Sequence, residues 1–206
     1  MRYRLASFQN HLTQINMAHI NIPAEEQLPG IRGLMAFSPE TAKPLNALAE
    51  ILLRNPNNTL SQGERELIAT YVSYLNNCTF CQMVHGSAAQ CYLEDDGSLI
   101  NQVKKDMLNA PISDKMKSLL TIAGAVQKGG KNVTKEHIYS AKALGATDKE
   151  IHDTVLIAAA FCLFNRYVDG LGTWAPQEAS AYLDRGPRIR DEGYANFNPM
   201  SYIQKS

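Results

Sequence analysis

Apolar residues recur at helical spacing along most of the chain, and that pattern predicts an all-helical protein. Leu45, Leu48, Ala49, Leu52 and Leu53 form one buried helical face. It starts at Ser38-Pro39-Glu40, with serine as cap and proline in the first position, and stops at Pro56-Asn57-Asn58. A second helix carries Leu67, Ile68, Tyr71, Val72 and Leu75. Ser61-Gln62-Gly63-Glu64 opens it as a capping box, in which serine and glutamate each satisfy a free N–H of the first turn. After Asn76-Asn77 the pattern resumes through Ala88, Ala89, Cys91 and Leu93 and stops at Glu94-Asp95-Asp96-Gly97. Further helices are expected from near Ser113 to before Gly129-Gly130, and from a Thr134 cap to Gly145. The most apolar helix follows the capping box Thr147-Asp148-Lys149-Glu150 and runs from Ile151 to about Phe164. No segment sustains the period-two alternation of a strand.

The two ends read differently. Residues 1–37, with Pro23, Pro29, Gly30 and Gly33, are expected to be an irregular arm laid over the body or over a neighbouring subunit. Residues 38–175 are the helical domain. Residues 176–206 are polar and aromatic, with Tyr182, Tyr194, Phe197 and Tyr202, and are expected at an oligomer interface. Within the domain, residues 66–86 set against 150–170 give six identities in 21 positions, among them Glu66/Glu150, Cys78/Cys162 and Gly86/Gly170. A bundle of two related helical hairpins is therefore expected. In the second copy Asn165 and Asp169 stand where the first has Cys81 and His85. The scaffold repeats and the chemistry does not.

Composition bounds the function. The chain has 206 residues, 45% hydrophobic and 19% charged, enough for a substantial core. Its formal net charge is zero, which gives no electrostatic case for nucleic acid or an anionic membrane. Residues 1–22 lack the continuous apolar core of a signal peptide, and no run approaches the ~18 apolar residues of a membrane span. A cytoplasmic protein is expected, and in that compartment thiols are kept reduced.

The candidate chemistry lies in Cys78-Thr79-Phe80-Cys81-Gln82-Met83-Val84-His85. On a helix, residues 78, 81 and 85 fall within roughly a 60° arc, so both sulfurs and the imidazole share one side. Asn77 as N-cap would put the cysteines at the positive end of the helix dipole, where a thiolate is favoured. A structural disulfide would need an oxidising compartment. A zinc site could take Cys78, Cys81 and His85, but no second Cys-x-x-Cys or histidine pair completes it. Covalent haem attachment needs the histidine directly after the second cysteine, and a thioredoxin-like domain needs strands. A redox-active dithiol is the reading the residues support best. Cys91 and Cys162 read as small core residues.

Glu66 adds a possible partner. Glu64 is accounted for as a cap, whereas Glu66 has no capping role. If the chain reverses at Asn76-Asn77, Glu66 lies about 16 Å from the turn and His85 about 12 Å, so the two come level. A carboxylate–histidine–thiol relay from Glu66 through His85 to Cys81 follows. Cys81 is one turn from His85, while Cys78 is at the helix start, nearer the surface turn.

Glu66-Leu67-Ile68-Ala69, Asn76 and Cys78-x-x-Cys81-x-x-x-His85-Gly86 resemble the alkylhydroperoxidase D-like branch of the carboxymuconolactone decarboxylase superfamily. Asn165-Arg166 and Asp169-Gly170-Leu171-Gly172 resemble the later signature of its peroxidase-related subgroup. The resemblance covers roughly residues 30–175. It implies an all-α fold assembled as a homo-oligomer, a trimer or hexamer, of duplicated helical units. It also implies that Cys81 attacks a hydroperoxide, Cys78 resolves the product as a disulfide, and His85 and Glu66 move protons. An external dithiol would restore the enzyme, with no metal or organic cofactor. The best-known members have a further histidine between the cysteines, where this chain has Phe80. Two other classes remain open: a lactone decarboxylase that uses acid–base groups alone, and a non-catalytic redox sensor or adaptor.

Overall fold

The computed structural model describes residues 18–203, and among these all regular structure is helical. The α-helices are α1 (Ile31–Phe37), α2 (Pro39–Arg54), α3 (Gln62–Leu75), α4 (Thr79–Leu93), α5 (Ser98–Asp106), α6 (Asp114–Lys128), α7 (Lys135–Ala143), α8 (Asp148–Gly170) and α9 (Arg185–Glu192). The capping boxes at Ser61/Glu64 and Thr147/Glu150 are both formed, and Thr134 caps α7 through its side chain. Ser38 stands at the cap position of α2, but its hydroxyl donates to Glu40 and makes no cap bond.

Helix α3 is the centre of the bundle. It packs on α4, α8, α6 and α2, and nine of its residues from Gly63 to Ser73 are buried. Leu53, Leu60, Leu67, Ile68, Val72, Leu120 and Phe161 belong to the main core around it. A smaller apolar cluster on the other side of α4 holds Cys78, Phe80, Cys81, Val84, Val168, Tyr182 and Ile189. The thiols thus lie at the seam between the domain core and the C-terminal extension.

The reversal between α3 and α4 is tighter than a capped helix start. Asn77 adopts a left-handed conformation with φ 57°. Its N–H bonds the Tyr74 carbonyl at 2.9 Å, and the Cys78 N–H bonds the Ser73 carbonyl at 3.0 Å. This is a Schellman closure of α3, with asparagine in the position usually taken by glycine. The expectation that Asn77 caps α4 is corrected: it ends the previous helix, and Cys78 occupies the N-cap position without a side-chain bond. The helices run antiparallel, since Gly63 faces Leu93 and Thr70 faces Gly86.

Three other expectations are corrected, and two helices are new. The arm is not irregular throughout, since α1 forms within it; the part of the arm at 1–17 lies outside the described residues. Helices α5 and α9 had no prediction. Helix α5 is short, and α9 (RGPRIRDE) contains Gly and Pro and a single apolar residue, Ile189, so packing rather than propensity forms them. The most apolar helix does not end near Phe164 but continues to Gly170. Residues 150–170 are therefore one continuous helix, and the sequence echo of the α3–α4 hairpin is not an echo in the backbone. Ala158-Ala159-Ala160 sits where the first copy has Tyr74-Leu75-Asn76, and these alanines favour helix where the first copy turns. By length and composition α8 could span a membrane, but 61% of its most apolar window is buried in the bundle, as in a core helix.

The turn makes a specific expectation. Asn77→Val places a β-branched residue at positive φ and should destabilise the protein by about 1–2 kcal/mol. Chemical denaturation of both proteins measures it, and an unchanged midpoint would rule out the left-handed turn.

Candidate functional site

Glu66 lies in the middle of α3, fully buried at 0% exposure. Such a carboxylate is tolerable only when its oxygens are hydrogen-bonded. His85 Nδ1 lies 2.8 Å from Glu66 Oε2, and the Tyr194 hydroxyl donates to Glu66 Oε1 at 2.5 Å. Both carboxylate oxygens are thereby occupied. The imidazole is held on two further sides, edge-on to Phe161 at 4.6 Å between centroids and stacked on Tyr194 at 5.9 Å. With Nδ1 committed to Glu66, Nε2 is the ring nitrogen left for proton exchange.

Cys78 and Cys81 are both free thiols. Cys81 is on the first turn of α4, and His85 is one turn further along the same face. Cys78 is not nearer the surface, as the sequence suggested: it is 0% exposed against 4% for Cys81. Its thiol is pushed well above the ordinary cysteine range, first by its hydrogen bond to Cys81, then by burial and by the charge Cys81 would carry. Ionisation of Cys78 is therefore disfavoured. The Asp169 carboxyl at the end of α8 also contacts Cys78; burial raises its pKa and that contact opposes the rise. Cys162 lies in the core, with the Asn76 side-chain amide 3.6 Å from its sulfur, and Cys91 is half-buried.

A cavity of about 80 Å³ opens onto this arrangement. One water needs roughly 10–15 Å³ on the same measure, so it accommodates several waters or a small organic group. Cys81, His85 and Tyr194 line it, whereas Cys78 does not. Its walls are largely apolar, with Phe80, Val84, Phe161, Phe164 and Ile189. Arg32, Arg185 and Arg188 also reach it. Phe80 packs edge-on to Tyr182 at 6.1 Å and under the Arg32 guanidinium at 5.7 Å. Among the described residues no three His, Cys, Asp or Glu side chains come together as a metal-binding group.

The structure thus brings together Cys78, Cys81, His85 and Glu66. It adds Tyr194, which the sequence had only as one aromatic in a polar tail. Helix rise across the turn at Asn76-Asn77 reaches Glu66 and His85, but nothing local marks Tyr194, which is 109 residues from His85.

Residues 39–90 and 97–175 match the family model described as the carboxymuconolactone decarboxylase family. No curated protein matches the chain. Among solved structures, an uncharacterized peroxidase-related protein from Ralstonia eutropha JMP134, described as an alkylhydroperoxidase AhpD core, superposes with a TM-score of 0.70 at 23% identity, covering 82% of this chain and 97% of that one. A second uncharacterized peroxidase-related protein, from Silicibacter sp. TM1040, has a TM-score of 0.67 at 23% identity, covering 75% of this chain and 78% of that one. A protein of unknown function from Agrobacterium tumefaciens gives 0.60 at 21% identity, covering 70% and 97%. These likenesses share the fold.

The thiol asymmetry predicts the order of alkylation. With limiting iodoacetamide at mildly alkaline pH, peptide mapping should find the first adduct on Cys81, because Cys78 keeps its proton through the range in which an ordinary cysteine ionises. Labelling of Cys78 before Cys81 would contradict the suppressed ionisation of Cys78.

Proposed function

The chain belongs to the carboxymuconolactone decarboxylase family, and from that premise we propose that it is a thiol–disulfide oxidoreductase that reduces small or organic hydroperoxides. The observation that carries the reading is the cavity. It presents Cys81, the thiol of the pair that reaches the cavity, beside an imidazole already bound to a buried carboxylate. In the first step Cys81 passes its proton to His85, and the Glu66 carboxylate offsets the imidazolium charge. The thiolate attacks the distal oxygen of ROOH, forming an S–O bond as the O–O bond breaks. The leaving alkoxide takes the proton from His85 and departs as ROH, leaving Cys81 as a sulfenic acid.

Cys78 is the resolving thiol. Its sulfur displaces hydroxide from the sulfenic acid, and the thiol proton leaves with it as water, giving the Cys78–Cys81 disulfide. The hydrogen bond already joining the two sulfurs keeps the resolving thiol within reach. An external dithiol then reduces the disulfide by exchange and is itself oxidised. The net change is ROOH plus a dithiol to ROH, water and a disulfide, with no metal or organic cofactor in any step. The low exposure of both sulfurs favours a small reductant, or a mobile dithiol arm, over the face of a large protein. A cytoplasmic location suits this cycle, since thiols there are held reduced. The reading also includes assembly as a trimer or hexamer, for which Leu156 and Leu163, exposed seven residues apart on α8, offer an apolar outer stripe.

Peroxide treatment should remove two free thiols, and mass spectrometry should find them joined between 78 and 81. Cys78→Ser should accumulate a sulfenic acid at Cys81 that a dimedone-type probe captures, and Cys81→Ser should abolish turnover. Glu66→Gln should fold and react more slowly by roughly 10–100-fold, part of the ~10²–10⁴-fold that acid–base assistance supplies. Retention of all free thiols after peroxide would end the proposal, whereas disulfide formation without turnover would point to a redox sensor.

A further inference from the structure

The C-terminal extension is held against α2 and α4 by polar contacts that fix one residue in particular. The Arg54 side chain on α2 pairs with Glu50 at 3.1 Å and donates to the carbonyls of Ile189 and, at 2.9 Å, Arg190 on α9. Glu50 Oε2 accepts the backbone N–H of Tyr194 at 2.7 Å and that of Ala195 at 3.2 Å. Between the two sets lies Gly193, at φ 74°, where a Cβ would stand 2.7 Å from Glu50 Oε2. The turn admits no side chain without moving this clamp. On α4, the Gly186 N–H bonds the Ser87 hydroxyl at 3.0 Å. Together these contacts set both the height and the direction of the Tyr194 ring.

The ring is aimed at the proton relay. Its hydroxyl meets Glu66 Oε1 at 2.5 Å and approaches His85 Nδ1 at 3.3 Å. We propose that Tyr194 is a positioning residue for the relay: by donating to Glu66 it keeps the carboxylate turned so that Oε2 holds His85 in the orientation that serves Cys81. The proposal rests on the thiol peroxidase reading and extends it to a residue outside the segment that matches the family model, which ends at 175. Burial, followed by the Glu66 charge and the hydrogen bond to Glu66, raises the tyrosine well above its ordinary range, so it remains a donor throughout the working pH.

The alternative is that Tyr194 only fills space and satisfies a buried oxygen. The two roles separate in the pH profile. Charged and titratable groups facing the cluster are Arg65 beside Glu66 on α3, Tyr92 on α4, Glu50 and Arg54 on α2, Arg185 on α9, and, across the cavity, Arg32 on α1 and Arg188 and Glu192 on α9. From α8 the contact is the Phe161 ring, which does not titrate. Tyr194→Phe keeps the ring and the packing and leaves all of these in place. It removes only the donor, and a carboxylate that loses a hydrogen bond to its charged form takes up a proton more readily. The acid limb of the rate profile should then move to higher pH.

The experiment compares wild type and Tyr194→Phe in two readouts across pH. One is steady-state reduction of cumene hydroperoxide with dithiothreitol, and the other is the rate of Cys81 carbamidomethylation by iodoacetamide. Tyr194→Phe should lower kcat/KM by about tenfold, as the loss of one hydrogen bond to a charged group does. Its acid limb should rise in both readouts, with a thermal midpoint close to wild type. Tyr194→Leu, which loses the ring as well, should be no better than Tyr194→Phe. If wild type shows no turnover while the alkylation profile still shifts in Tyr194→Phe, the positioning role stands and the peroxidase reading falls. If both profiles of Tyr194→Phe overlay those of wild type, the positioning role is wrong whatever the turnover.

Discussion

A carboxylate with no exposure to solvent sits at the middle of the most buried helix, and the site is arranged around keeping it satisfied. Glu66 takes one donor from α4 and one from the C-terminal extension. Leaving a buried charge without such partners costs several kcal/mol, far more than the ~1 kcal/mol a typical hydrogen bond contributes on balance. The acid therefore ties three parts of the chain to a single geometry. It also accounts for the orientation of the imidazole, since Glu66 fixes one ring nitrogen and leaves the other for chemistry.

The two thiols show how opposed effects are decided by magnitude. Cys78 occupies the N-cap position of α4, where the helix dipole favours a thiolate by about 0.3–1 kcal/mol when exposed and up to ~2 when partly buried. Burial acts against it, because moving a charge from water into the interior costs more than the dipole returns. The hydrogen bond to Cys81 acts the same way, since Cys78 can donate it only as a thiol. Both opposing effects keep the proton on Cys78. Cys81, unlike Cys78, faces the cavity. Where the chain buries each sulfur thus sets the two thiols apart.

Substitution of an apolar ring between the cysteines has a structural consequence as well. Phe80 joins the small cluster on the outer side of α4, packed against Tyr182 of the extension and against Arg32 near the start of α1. The residue that makes the site less polar also helps anchor the segments that close it. Tyr182 donates to the Pro176 carbonyl at 2.8 Å, which holds the start of the extension in place. The thiols are enclosed by Arg32 of α1 and by the C-terminal extension as well as by the helical domain.

The sequence by itself determined the helical class, most helix starts and the register of the reactive residues. Those signals are local: capping boxes act within four residues, apolar periodicity within a few turns, and Cys-x-x-Cys-x-x-x-His lies on one face for any straight helix. Glu66 was legible because a hairpin of known rise per residue puts it level with His85. Other features needed the folded chain. Asn77 could be read as a cap or as the close of the preceding helix, and only the packing of α3 on α4 selects the second. The sequence repeat at 150–170 could not reveal that its backbone runs straight, because a helix and a hairpin bury similar residues and differ only at the turn. Tyr194 was beyond reach for a further reason: α9 has one apolar residue and no helical signal, and its place is set by desolvated contacts with α2 and α4 more than 90 residues away. Tertiary structure decided which aromatic of the tail reaches the buried acid, because only there do a free carboxylate oxygen and a fixed hydroxyl meet.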